Sequence, residues 1–202
     1  MSSVEKLATQ YCGSLNDIRV RLELVRSICK GSLSAGAELL NYEIAAVNLR
    51  KVLELIAFGS LTANKAAYTA AYVGIEKKWR AKALLDDLEK IHADFYPKPL
   101  QRPAISGGAP RHFHFEFQNT GFLTRDEFIE LYDVCSKVIH TRNPFAADTT
   151  VDFRITVVEW AERIEKLLSF HLFRLSGMSQ IWIGELVAPS DGKSHIYIAS
   201  PN

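Results

Sequence analysis

Residues 37–58 read AELLNYEIAAVNLRKVLELIAF, a stretch with few charged residues and many large apolar ones. The apolar residues recur every three or four positions, which is the period of an α-helix. Because further apolar residues widen this stripe, we expect a mostly buried helix that ends at Gly59. The stripe consists of Leu40, Ile44, Val47, Leu55 and Phe58, and it is widened by Leu39, Leu49, Val52, Leu53 and Ile56.

A buried helix needs neighbouring helices, and the same period recurs along the chain. Residues 4–30 predict an amphipathic helix before it, and residues 63–94 predict a long helix after it. The segment Thr124–Glu127 has the sequence of a capping box, so another helix is expected over residues 125–141. A last helix is expected over residues 151–175. The chain therefore predicts a mainly α protein, built as a five-helix bundle.

The C-terminal part of the chain has the signals of β-strands. Residues 180–187 and 194–199 are rich in β-branched and aromatic residues, and the Asp191–Gly192 turn between them is typical of a hairpin. An isolated hairpin is marginal in water, so it must pack on the helices or gain a third strand. We therefore expect a helical bundle over residues 1–176 and an appended small antiparallel sheet, the β-hairpin, over residues 177–202.

A loop rich in proline and glycine interrupts the bundle at about residues 96–121. Within it, residues 111–117 alternate Phe with polar residues, which predicts a half-buried strand that could extend the sheet. His112, His114 and Glu116 share the polar face of this strand and are candidate metal ligands. The alternative is that these three side chains form the solvated face of the strand.

The composition describes a protein without strong net charge. The chain has 202 residues, with Lys+Arg 24 against Asp+Glu 23, so the net charge of +1 creates no general attraction to nucleic acid or anionic membrane. It has no secretory signal and no apolar run of about 18 residues, so we expect a cytoplasmic protein without membrane contact. The widely spaced Cys12, Cys29 and Cys135 are expected to be buried free thiols.

Motifs typical of nucleotide- and metal-dependent enzymes are not found in the sequence. The chain lacks the phosphate-loop, dinucleotide-binding, HExxH, GxSxG and EF-hand patterns. This absence favours a protein that is not an enzyme, and no cofactor is predicted.

Basic residues surround an aromatic residue in the third predicted helix. A tryptophan among lysines and arginines can stack on single-stranded nucleic acid. The helical period equally predicts a core stripe edged by basic side chains. The candidate nucleic-acid-binding residues are Lys78, Trp79, Arg80 and Lys82, together with Lys98, Arg102 and Arg111 of the loop.

A second polar cluster lies at the end of the fourth predicted helix, where residues 138–145 read VIHTRNPF. The helix dipole favours the protonated form of an imidazole at His140. Arg142 and Asn143 add hydrogen-bond donors that suit a phosphate. The structural alternative is that these groups cap the last carbonyls of the helix before Pro144 ends it.

Residues 138–145 and the segment 42–56, YEIAAVNLRKVLELI, resemble two helices of the HEPN superfamily of small α-helical bundle proteins. The resemblance implies a helical bundle over about residues 4–175 that forms a homodimer. Catalytic members of that superfamily are metal-independent ribonucleases that use an arginine followed, after four to six residues, by a histidine. In this chain the corresponding positions after Arg142 are residues 147–149, which are Ala, Asp and Thr, so the motif is missing.

The resemblance therefore implies a noncatalytic relative that acts by binding protein or nucleic acid. The alternative is a metal-independent RNA endonuclease with a rearranged site. In that site His140 would move protons, Arg142 would hold the scissile phosphate and Asn143 would orient the substrate.

Overall fold

The periodic stretches of the chain form helices. The structure is a computed structural model that describes residues 2–75, 81–102, 115–140 and 155–199. In these residues the helices are α1 (Ser3–Cys29), α2 (Glu38–Gly59), α3 (Lys65–Ile75), α4 (Ala81–Ile91), α5 (Arg125–Ile139) and α6 (Val157–Leu168). The strands are β1 (Lys98–Pro99), β2 (Phe170–Phe173), β3 (Ile181–Glu185) and β4 (His195–Ala199).

The mainly helical fold with a small antiparallel sheet confirms the predicted fold class. The helix predicted over residues 63–94 corresponds to α3 and α4, and the residues between those two helices lie outside the described part. The described helices therefore number six, where the sequence predicted five.

Local hydrogen bonds begin three of the helices. At α5 the Thr124 hydroxyl accepts from the Glu127 amide, and the Glu127 carboxylate accepts from the Thr124 amide. This confirms the capping box read from the sequence. The same reciprocal pair begins α1 at Ser2 and α6 at Thr156. Each box satisfies two backbone amides that the first helical turn leaves without partners.

The core lies where α2 packs against α1 on one side and α5 on the other. Leu49, Val52 and Leu53 of α2 are completely buried there. Leu22 of α1 and Leu131 of α5 are equally buried and belong to the same apolar cluster. Shortening any one of these leucines to alanine is expected to cost about 2 to 5 kcal/mol, because a close-packed core collapses only partly around a cavity.

The first half of α2 is more exposed than its apolar sequence predicts. Leu39, Leu40 and Ile44 are 56%, 44% and 36% exposed, so the expectation that this part of the stripe is buried is wrong. Apolar residues surround the helix here on all sides, and the packing of α2 against α1 and α5 leaves these three side chains exposed. The second half, around Val52 and Ile56, is buried as expected.

The end of α6 also differs from the expectation. The apolar period predicts a helix to Leu175, but α6 ends at Leu168 and residues 170–173 form β2. Strand β2 pairs antiparallel with β3, and Leu172 lies opposite Ile183. A short apolar run suits a strand or a helix, and here the neighbouring strand decides between them.

The sheet has the order β1-β2-β3-β4, and all neighbours are antiparallel. The predicted hairpin β3–β4 is confirmed, and Gly192 in its turn has a positive φ of 71°. Strands β1 and β2 add the further pairing that the hairpin needs. Residues 111–114 of the predicted Phe-rich strand lie outside the described part, while Phe117 forms an isolated antiparallel bridge with Leu100.

A buried histidine joins the sheet to α1. The backbone carbonyl of Leu168 can only accept a hydrogen bond, so His171 Nδ1, at 3.0 Å, donates to it. The Tyr11 hydroxyl, 3.0 Å from His171 Nε2, then donates to that nitrogen. Burial lowers the pKa of His171 to about 4, so the ring is neutral at pH 7. Gly184 makes room for the ring, since an added Cβ there would lie 2.4 Å from imidazole Cε1.

Candidate functional site

A cleft of about 240 Å³ lies between α1, α2 and the beginning of α3. Helical spacing explains how it forms: Asp17 and Arg21 are one turn apart on α1, and Lys51 and Leu55 are one turn apart on α2, so each helix turns one face toward the cleft. The lining residues are Ser14, Asp17 and Arg21 of α1, Lys51, Glu54, Leu55, Phe58 and Gly59 of α2, and Thr62 and Tyr68.

An ion pair holds the α1 side of the cleft in place. Arg21 Nε lies 2.9 Å from Asp17 Oδ1. Arg21 Nη1 donates to Asn48 Oδ1 at 3.1 Å, and Asn48 Nδ2 of the same side chain donates to the Ile44 backbone carbonyl at 2.8 Å. The Arg21 guanidinium is therefore oriented by both helices, and its charge is balanced by Asp17.

A second network connects the α2 side of the cleft to α5. Arg50 Nε donates to Glu54 Oε1 at 3.3 Å, so the Glu54 carboxylate is balanced as well. The same guanidinium donates to the Tyr132 hydroxyl at 3.0 Å and to Ser136 Oγ at 3.1 Å. It also stands over the Tyr132 ring, 4.7 Å from the centroid. Burial raises the pKa of Tyr132, so its hydroxyl stays protonated and can donate.

Lys51 is the cation of the cleft whose charge is not balanced. It is exposed, and it forms no ion pair with any residue in the described part of the chain. The four charged residues of the lining, Asp17, Arg21, Lys51 and Glu54, sum to zero, and Arg50, which pairs with Glu54 from outside the lining, brings the charge around the cleft to +1. The opposite wall is apolar: Leu55 is half-buried, and the rings of Phe58 and Tyr68 lie 5.3 Å apart between centroids.

The predicted catalytic cluster is described only in part. His140 is the exposed C-terminal cap residue of α5, and its backbone amide donates to the Ser136 carbonyl at 3.2 Å. Arg142 and Asn143 lie outside the described residues. A catalytic role for these three residues stays a prediction.

The described members of the predicted nucleic-acid set each contact a carboxylate. Lys82 Nζ lies 2.7 Å from Asp86 and Lys98 Nζ 2.9 Å from Asp94. Arg102 forms an ion pair with Glu185 of the sheet. Nucleic-acid binding by this set stays a prediction. Its other members, Lys78, Trp79, Arg80 and Arg111, lie outside the described residues.

Arg102 contacts a buried acid that sequence reasoning did not single out. The Glu185 side chain, at the end of β3, is only 2% exposed and forms an ion pair with Arg102. The Tyr197 hydroxyl donates to its second oxygen at 2.9 Å. The Arg102 guanidinium also lies 5.4 Å from the centroid of the Phe170 ring. These contacts tie the beginning of the Pro/Gly-rich loop to the sheet.

The remaining candidates are metal ligands and thiols. Glu116 is exposed, His112 and His114 lie outside the described residues, and the described part contains no cluster of metal-ligating side chains. Cys135 is buried as expected, and burial raises its pKa to about 12. Cys29 is exposed, so the expectation of burial is wrong there.

Among the described helices, none combines the length and the apolar character required to cross a bilayer.

No family model, curated protein or solved structure matches the chain. The resemblance to the HEPN superfamily therefore stays an expectation.

Proposed function

We propose that this protein is a non-enzymatic, HEPN-like interaction protein that forms a homodimer through the outer face of α2. We define this face by Leu40, Ile44 and Val47, which recur at i, i+4 and i+7 and so lie on one side of the helix. The observation that carries the proposal is that Leu40 and Ile44 remain 44% and 36% exposed, although both are large and apolar.

The chemistry of this face suits a protein partner. Apolar surface exposed to water costs about 25 cal/mol per Å², so a contiguous apolar patch favours contact with another apolar surface. Between Leu40 and Val47 the outer face of α2 is bordered by one charged side chain, that of Glu43, and Lys51 lies one turn beyond Val47. The charged residues nearest to it in this half of the helix are Glu38 and Glu43, and carboxylates repel the phosphates of a nucleic acid.

A second copy of the chain is the partner that fits this face. In a two-fold symmetric dimer the same patch meets itself, so a patch with charge would bring like charges together. The outer face of α2 avoids this, because the residues that meet around the axis are Leu40, Ile44 and Val47. The resemblance of residues 42–56 to the HEPN superfamily, which implies a homodimer, supports the same choice.

The test is the oligomeric state of Ile44→Glu. The wild-type protein is expected to have the mass of a dimer in sedimentation equilibrium, and Ile44→Glu that of a monomer, because the variant would bury two carboxylates at the interface. Val158→Glu on α6 is the matched control, since Val158 is 39% exposed. Circular dichroism verifies that both variants are folded. A monomeric wild-type protein, or a dimer that survives Ile44→Glu, would contradict the proposal.

The non-enzymatic part of the proposal is tested with RNA. The wild-type protein is expected to leave a mixed pool of structured and single-stranded RNA intact in excess chelator. If it instead cleaves the pool, and both His140→Ala and Arg142→Ala abolish cleavage, the endonuclease alternative replaces the proposal.

A further inference from the structure

We infer that the cleft between α1 and α2 binds a small molecule that carries one aromatic ring and one carboxylate. Every lining residue belongs to a single copy of the chain, and Lys51 lies one turn beyond Val47, so the cleft adjoins the outer face of α2. The inference rests on the ammonium of Lys51, which has no ion-pair partner in the described part of the chain, on the apolar wall and on the size of the cleft.

Counted together with Arg50, which pairs with Glu54 from outside the lining, the charged groups at the cleft sum to +1 and favour an anionic ligand. Asp17 is neutralised by Arg21 at 2.9 Å, and Glu54 by Arg50 at 3.3 Å. The Lys51 ammonium has no such partner in the described part of the chain, so it is the charge that a ligand can complete. A carboxylate placed against this ammonium makes a charge-assisted hydrogen bond.

The acidic residues of the lining favour a ligand with only one negative charge. Asp17 and Glu54 also line the cleft, and their carboxylates repel a second negative charge on the ligand. A phosphate monoester carries nearly two negative charges at pH 7. The single ammonium of Lys51 therefore suits a monocarboxylate better than a nucleotide or a sugar phosphate.

The apolar wall and the volume of the cleft indicate the size and the apolar part of the ligand. Phe58 and Tyr68 form a tilted aromatic pair with centroids 5.3 Å apart, and Leu55 extends this wall. Aromatic rings prefer offset-stacked or edge-to-face contact with other rings, and Tyr68, 36% exposed, is the ring of this wall that faces solvent. A volume of about 240 Å³ lies below the range of about 300 to 1,000 Å³ that is usual for ligand pockets, so the ligand is limited to one ring with a short chain.

The hydroxyl groups of Thr62 and Ser14 already donate hydrogen bonds within the protein, so they do not donate to a ligand. The Thr62 hydroxyl donates to the Gly59 carbonyl at 3.0 Å, and the Ser14 hydroxyl lies 3.3 Å from the Gln10 carbonyl, to which it donates. Their oxygens are therefore left as acceptors, and the cationic donors of the lining are Lys51 and Arg21, of which Arg21 is paired with Asp17.

The experiment titrates the full chain with 3-phenylpropionate and follows binding by amide chemical shifts and calorimetry. We expect saturable millimolar binding that weakens at high salt, because the ion pair is partly exposed. The uncharged 3-phenylpropanamide has the same shape, and it is expected to bind about tenfold more weakly. Lys51→Met should lower the affinity for the carboxylate about tenfold and leave that for the amide unchanged. Lys193→Met, which removes an exposed lysine of the β3–β4 turn, is the control and should bind like the wild type.

Three results would overturn the inference. They are no saturable binding up to about 10 mM, equal affinity for the carboxylate and the amide, or equal affinity in the wild type and Lys51→Met. Thr62→Trp, which fills the cleft and leaves Lys51 in place, should abolish binding, and retained binding would locate the ligand elsewhere. Ile44→Glu should bind as well as the wild type, so failure of the proposed dimer and failure of this site are distinguishable.

Discussion

Acid should destabilise this protein through one buried imidazole, that of His171. The ring is completely buried, and burial lowers its pKa in the folded state from 6.5 to about 4. The unfolded chain therefore binds more protons than the folded chain between about pH 6.5 and pH 4. Stability is expected to fall as the pH falls through this window.

The size of the effect follows from proton linkage. For a single group with these two pKa values, lowering the pH from 7 to 5 reduces the free energy of unfolding by about 2 kcal/mol. The loss has a structural cause, because a protonated Nε2 can no longer accept from the Tyr11 hydroxyl and the charge is completely buried.

The assay is urea unfolding between pH 7 and pH 5, with a variant that lacks the titrating group. In Tyr11→Phe/His171→Asn the asparagine amide can still donate to the Leu168 carbonyl, and no hydroxyl is left without a partner. Carboxylates also titrate in this range, and the comparison removes their contribution since both proteins share them. The wild type should lose about 2 kcal/mol more than the variant between the two pH values. Equal losses in the two proteins would refute the reasoning.

Three further predictions concern stability and are measured by urea unfolding at pH 7. Arg102→Met should cost about 3 kcal/mol, because it leaves the Glu185 carboxylate buried without a counter-charge. Arg102→Met/Glu185→Gln should recover most of this loss, and a double variant as unstable as the single one would show that the ion pair is not the cause. Gly184→Ala should destabilise by about 2 kcal/mol or more, since its Cβ would overlap the buried imidazole. Gly13→Ala, at an exposed helical position where no atom lies within 4 Å of the added Cβ, should instead stabilise the protein by about 1 kcal/mol. If Gly184→Ala and Gly13→Ala change the stability alike, overlap with the imidazole is not the cause. Thr124→Ala should cost about 1 kcal/mol by removing the cap of α5, and an unchanged midpoint would argue against the capping box.

The predicted helices that agree best with the structure are those specified by local chemistry. Helix α1 was expected over residues 4–30 and spans Ser3–Cys29, and α5 begins at Arg125 as its capping box predicts. The β3–β4 hairpin was readable for the same reason, because the Asp191–Gly192 turn and its flanking strands are neighbours in sequence.

The candidate site was hidden from sequence reasoning. Asp17 and Lys51 belong to different helices, and nothing in the sequence near either residue indicates that they line one cleft. Arg102 was expected to bind nucleic acid, while in the structure it contacts Glu185, a residue far along the chain. Contacts of this kind depend on how helices and strands pack, so the sequence around each residue does not indicate them.

The amino-acid sequence alone was sufficient for the helical character, the helix caps and the C-terminal hairpin, because each depends on hydrogen bonds and apolar spacing within a few residues. Tertiary packing settled which apolar residues are buried. It left Leu40 and Ile44 exposed on α2 because no described helix covers that side, and it turned residues 170–173 into a strand because β3 supplies their hydrogen-bond partners. Local rules could not anticipate either outcome, since both depend on neighbours that are distant in the chain.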